Sequence, residues 1–188
     1  LWYDEPAAQW EETLPLGNGR LGMMPDGGIG KEHIVLNEIS MWSGSEANYL
    51  NPDASKSLPE IRRLLFEGKN KEAQELMYTS FVPKKPEKGG TYGAFQMLGD
   101  LFLEHQYGVH EKDVPADYRR WLDLSKGIAY TTFSRGNVNY VREYVISRDK
   151  DVMLIHLKAN VPGSINFKMN LSRPERGSVR KLAEGKLE

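Results

Sequence analysis

The chain has 188 residues, 39% apolar and 27% charged, with 25 basic and 26 acidic side chains and a net charge of −1. These are the proportions of a globular chain: they give no licence for long disorder and force no basic face that would favour a nucleic-acid partner, and the chain contains no apolar run long enough to span a bilayer. The sequence has no cysteine, which excludes disulfides and thiolate metal sites.

Residues 1–30 carry glycines at 17, 19, 22, 27, 28 and 30, together with Trp2 and Trp10, a pattern of short strands joined by tight turns. The sequence opens directly on Leu1-Trp2-Tyr3-Asp4 without a basic-then-apolar stretch, which is equally compatible with a leader removed from a longer precursor. The apolar run Ile34-Val35-Leu36 follows, and then turn chemistry at Ser43-Gly44-Ser45 and Asn51-Pro52-Asp53. Over 57–81 the period becomes helical. Ser57-Leu58-Pro59-Glu60 has the spacing of a capping box with Pro in the first turn, and Ile61, Leu64 and Leu65 share a face. Gly68 interrupts, and Asn70 is placed to cap a second helix whose Ala73, Leu76 and Met77 share a face. Helices this short are not stable alone, so they pack on something else.

Residues 82–90 read as an exposed loop. Beyond 91 the period is two, with strands expected at 101–104, 118–124, 128–134, 138–147, 152–159 and 165–171, separated by turns at 125–127, 135–137, 148–150 and 161–163. Connections this short cannot hold crossover helices, so the strands are antiparallel. The expected fold is mainly β, an antiparallel β-sandwich with a short two-helix insert around residues 57–81. The last stretch, 172–188, is charged and ends on no closing strand.

Gly17-Asn18-Gly19-Arg20-Leu21-Gly22 matches the dinucleotide-binding glycine pattern. That site needs a strand before it and a helix after it, and Pro25 with Gly27-Gly28 forbids the helix. A tight turn presenting Asn18 and Arg20 accounts for it better. Glu38 lies between the apolar run and Trp42, where a carboxylate and an indole at the mouth of a sandwich can hold a polar ligand. The simpler alternative is that Glu38 pairs with a nearby Arg and Trp42 packs under a loop. His33, His105, His110 and His156 lack metal-ligand spacing, and no metal or other cofactor is expected. No Gly-x-Ser-x-Gly elbow is present.

Several motifs occur in order: Leu1-Trp2-Tyr3-Asp4, Leu14 to Gly22, Leu36-Asn37-Glu38 with Trp42-Ser43-Gly44, Asn51-Pro52-Asp53-Ala54, Leu58 to Gly68, and Gln96 to Leu101. This series resembles the opening of glycoside hydrolase family 95, the α-L-fucosidases, closely over roughly the first hundred residues and in strand pattern thereafter. The resemblance implies an amino-terminal sandwich of the super-sandwich type from large bacterial and plant enzymes that remove L-fucose or the similar L-galactose with inversion.

In such enzymes the catalytic groups sit in a following (α/α)6 barrel. No residue here matches them, so no catalytic residue is carried over, and this chain alone is expected to be inactive. The chain is read as one domain, 1–188, incomplete at its C-terminal end and lacking the barrel. Its expected partners are the parent's own barrel and a fucosylated or L-galactosylated glycan, with a periplasmic or extracellular location. Asn18, Arg20, Glu38 and Trp42 are the candidates for the substrate rim or the interdomain surface. A stand-alone carbohydrate-binding, lectin-like sandwich is the alternative, with a purely structural sandwich as a third reading.

Overall fold

The computed structural model describes residues 1–44, 48–84 and 93–183. They fall into two compact units, Leu1–Met41 with Phe95–Glu188, and Trp42–Ala94. Ser45 of the expected turn and most of the expected 82–90 loop lie outside the described residues.

The larger unit contains β1 (Trp2–Tyr3), β2 (Leu16–Gly17), β3 (Leu21–Pro25), β4 (Lys31–Glu38), β5 (Gly99–His105), β6 (Ala116–Asp123), β7 (Ile128–Arg135), β8 (Val138–Ile146), β9 (Met153–Ala159) and β10 (Phe167–Ser172). They form two five-stranded sheets, ordered β1-β6-β7-β8-β9 and β10-β5-β4-β3-β2. Every pairing is antiparallel. The expected sandwich is present, with strand ends within two residues of the expected ones from β6 onward. Met24-Pro25 continues β3, and Asn37-Glu38 completes β4.

The core lies between the sheets. Met23 and Ile34 from one sheet meet Ala129 and Tyr144 from the other, each 0% exposed, with Leu14 and Leu103 beside them. Burying each large apolar side chain here contributes about 1.5–3 kcal/mol. Alternation along β8 turns Tyr140, Arg142, Tyr144 and Ile146 inward.

Three of the inward positions carry charge: Glu32, Arg120 and Arg142. Glu32 of β4 accepts from Arg142 at 3.0 Å and from the Tyr144 hydroxyl. Arg142 also donates to the carbonyls of Gly28 at 2.7 Å and Ile29 at 2.9 Å and to the Tyr107 hydroxyl at 3.0 Å. Burial opposes the charge on Arg142, but Glu32, Tyr144 and Tyr107 together keep its pKa above the ordinary value. Arg120, 1% exposed, donates to the carbonyls of Glu5 at 2.7 Å and Glu12 at 2.5 Å, clamping the N-terminal segment onto the sandwich.

In the smaller unit, a 3-10 turn Pro52–Ser57 leads directly into α1 (Leu58–Phe66), and α2 (Asn70–Ser80) follows. Ile61, Leu64 and Ala73 form its core, with Leu76 packed against them. The helices are as expected, but both caps differ. Ser57 already has helical dihedrals (φ −83°, ψ −11°) because the 3-10 turn precedes it, so its side chain makes no cap bond and Glu60 pairs with Arg63 instead. Asn70 is the first helical residue of α2, and Lys69 holds the cap position without a side-chain bond. Asn51 is the residue that caps. It accepts from Asp53 N at 3.2 Å and donates to the carbonyls of Ser80 and Val82, both at 3.1 Å. Gly68 ends α1 at φ +74°, with Gly68 N bonded to Leu65 O and Lys69 N to Leu64 O, the pairing of a Schellman motif.

Candidate functional site

The glycine-rich segment is the turn of the β2–β3 hairpin, in which Gly17 pairs with Gly22. Gly19 sits at φ +94°, a left-handed geometry that favours glycine. Asn18 Oδ1 accepts from Arg20 N at 2.9 Å and Leu21 N at 2.7 Å, which closes the turn from within. Its Nδ2 donates outward, to Ser147 O at 2.9 Å and Asp151 Oδ1 at 3.1 Å. All four hydrogen-bonding positions of the amide are thereby used. Asn18 ties the hairpin of one sheet to the β8–β9 turn of the other.

Arg20 lies beside it with a 61% exposed side chain. Its Nε reaches Glu38 Oε1 at 3.2 Å and its Nη1 reaches Asp151 Oδ2 at 3.4 Å. Glu38 ends β4, and its other oxygen accepts from Ser40 N at 2.9 Å and from the Ser40 hydroxyl. The Ser40 hydroxyl, then the Ser40 amide and then Arg20 hold the Glu38 carboxyl below its ordinary pKa. A carboxylate kept ionised in this way is biased against the general-acid role, which needs a raised pKa.

Three of the expected residues, Asn18, Arg20 and Glu38, therefore converge at one end of the sandwich. Glu38 takes the simpler of its two readings as far as its partner goes, pairing with a nearby Arg. The fourth, Trp42, opens the smaller unit and is 59% exposed. Within that unit Ser43 N donates to Ala94 O at 2.9 Å, and Ala94 N donates to Ser43 Oγ at 3.0 Å.

Asp151, Ser147 and Ser40 were not singled out in the sequence. Asp151 follows the Arg148-Asp149-Lys150 turn at φ +48°, so its carboxylate points across to the other sheet only once that turn has folded. Among the described residues, no group of three or more His, Asp or Glu side chains is placed to hold a metal. No helix there is long and apolar enough to cross a membrane.

The family model described as "Glycosyl hydrolase family 65, N-terminal domain" matches residues 1–188. The chain belongs to this family of glycosidase N-terminal domains. Among curated relatives of this glycosyl hydrolase N-terminal domain, "Alpha-L-fucosidase 2" of Arabidopsis thaliana is 36% identical over 170 residues, 90% of this chain and 19% of the relative. "Probable alpha-fucosidase A" of Aspergillus niger is 32% identical over 170 residues, 85% of this chain and 20% of the relative. The protein of the same name from Aspergillus oryzae is 32% identical over 168 residues, 85% of this chain and 21% of the relative. The chain thus spans about a fifth of the length of the curated relatives it matches. The fucosidase-like resemblance drawn from the motifs agrees with them.

Proposed function

We propose that this chain is the non-catalytic amino-terminal sandwich of an α-L-fucosidase-like glycosidase of the family 95 type. In this reading it packs on the parent's catalytic (α/α)6 barrel and shapes the rim of the sugar pocket. The observation that carries the proposal is the 36% identity over 90% of the chain to a fucosidase of which it spans only 19%. The parent's substrate is then a fucosylated or L-galactosylated glycan, and an exported location follows from where such glycans are found.

The electrostatics of the hairpin end are consistent with a supporting role. Glu38 is held ionised and Asn18 is saturated, so this end is built to stay in one shape rather than to exchange protons. A rigid end is what a rim or an interdomain contact requires.

The sandwich itself is proposed to continue into further polypeptide. Among the described residues β9 and β10 each pair with one strand only. On β10, Phe167 and Met169 are each 42% exposed, whereas Leu103, the register partner of Met169, is 2% exposed. Open edges flanked by apolar side chains are an aggregation liability that added strands remove.

The test is an assay of the purified 188-residue protein and of the longer parent on a fucosyl and an L-galactosyl substrate. Turnover is expected from the parent alone, and turnover by the 188-residue protein would overturn the proposal. Amide exchange at β10 is expected to be slower in the parent than in the short protein.

A further inference from the structure

A concavity lies on the larger unit. The segment after Pro6 crosses the outer surface of the sheet and turns at Trp10, where it is held firmly. Ala7 N donates to Asp26 O at 2.9 Å, Glu12 Oε2 accepts from Ala8 N at 2.8 Å, and Arg120 grips the carbonyls of Glu5 and Glu12 from inside. Between this segment and strands β3 and β4 is a cleft of about 130 Å³. Gln9, Trp10, Met24, Asp26, His33 and Val35 line it.

The walls are chemically sorted. Trp10, 55% exposed, supplies an indole, while Met24 and Val35 supply an apolar base. The polar groups are fixed before any ligand arrives. Asp26 Oδ1 is anchored by Gly28 N at 2.8 Å and His33 N at 3.1 Å. The His33 ring is held by Asp100 at 2.6 Å and stacks on Phe102 with centroids 4.6 Å apart. Preorganised polar groups facing an aromatic wall are the ordinary build of a small-ligand site.

The lining selects the ligand class. It contains no Lys or Arg, so a phosphate or carboxylate would find no counter-charge there. Trp10 is the one Trp, Tyr or Phe in the lining, so a quaternary ammonium would lack the cage it needs. Burial pushes the Asp26 carboxyl above its ordinary pKa, against the Gly28 and His33 amides that hold it down. The cleft is smaller than the roughly 300–1,000 Å³ of drug-sized sites, so it admits one ring rather than a chain of them.

We infer that the Trp10–Asp26–His33 cleft is a non-catalytic binding site for a single neutral saccharide residue, with its apolar face on Trp10 and its hydroxyls on Asp26, His33 and Gln9. The inference stands on the cleft and not on the proposed role in a fucosidase. Absence of binding would leave that role intact, and turnover by the 188-residue protein would leave the cleft intact.

The test titrates the 188-residue protein with L-fucose, L-galactose and D-galactose by calorimetry, and follows wild-type amide chemical shifts in parallel. Saturable millimolar binding is expected for at least one sugar, with shifts centred on residues 8–10, 26–28 and 33–35. Trp10→Ala, at an exposed side chain, is expected to weaken binding about tenfold, the size of one aromatic contact, while the melting temperature stays near wild type. Gln9→Ala is the second variant and is expected to weaken binding less. Four results would each overturn the inference: no saturable binding, shifts centred on Arg20 and Glu38, affinity unchanged in Trp10→Ala, or tetramethylammonium binding in place of sugar.

Discussion

Glu32 of β4 and Arg142 of β8 meet across the interior of the sandwich with Oε2 and Nη1 3.0 Å apart and their side chains 0% and 3% exposed. A buried pair is costly to assemble and far more costly to break, because the surviving charge has no water to solvate it. Glu32→Ala is therefore expected to cost about 3–5 kcal/mol in urea unfolding. Replacing both partners with apolar residues, Glu32→Leu with Arg142→Met, should recover much of that loss. Recovery should be incomplete, because the Gly28 and Ile29 carbonyls lose their donor. A double variant no more stable than Glu32→Ala would show that the cost lies in packing rather than in the orphaned charge.

His105 sits beside this pair, 3.9 Å from Glu32 and with a 7% exposed side chain. Burial lowers its pKa below the ordinary histidine value. The unfolded chain therefore takes up a proton at His105 before the folded chain does, and stability falls as pH drops below about 6.5. His105→Gln should flatten the wild-type decline in unfolding midpoint between neutral pH and about pH 5. Parallel pH curves for the two proteins would remove His105 as a source of the decline.

Asn18 and Arg20 are neighbours in one turn with different expected weights. Asn18 makes four hydrogen bonds, two that close its own turn and two that join the sheets, and Asn18→Ala should lower stability by about 1–2 kcal/mol. Arg20 forms exposed ion pairs, which are screened by water and salt, so Arg20→Ala should leave the melting temperature close to wild type. Thermal unfolding of the two variants side by side checks the order, and a larger loss for Arg20→Ala would reverse it.

Two glycines separate strain from collision. A Cβ at Gly19 would meet nothing within 4 Å, so Gly19→Ala meets only its φ of +94° and should cost about 1–2 kcal/mol. A Cβ at Gly28 would overlap the Lys31 carbonyl, which is backbone and has little room to yield. Gly28→Ala should cost distinctly more, as read by the shift in urea midpoint.

Much of the architecture was legible in local pattern. Period-two alternation from Leu101 onward, with Gly127, Gly136 and Gly163 all at positive φ between strands, marks antiparallel strands before any packing is known. Capping was less legible. Ser57-x-x-Glu60 has the right spacing, but a 3-10 turn upstream had already given Ser57 helical dihedrals and left its side chain nothing to cap. The site was half legible: Asn18, Arg20 and Glu38 stand in order along one stretch, but Asp151 is 131 residues from Arg20 and carries no local signal.

By itself, the sequence determined the antiparallel strands, the helical insert, the tight turn at Asn18 and the likeness to glycosidase N-terminal domains, because these depend on residues close together along the chain. Only the tertiary structure decided that Glu32 is an interior charge, that Asp151 closes the hairpin end, and that Trp10, Asp26 and His33 share a cleft. The reason is physical. A charged residue in an alternating strand looks the same whether its face meets water or another sheet, and the partner that makes burial tolerable, Arg142, lies 110 residues away.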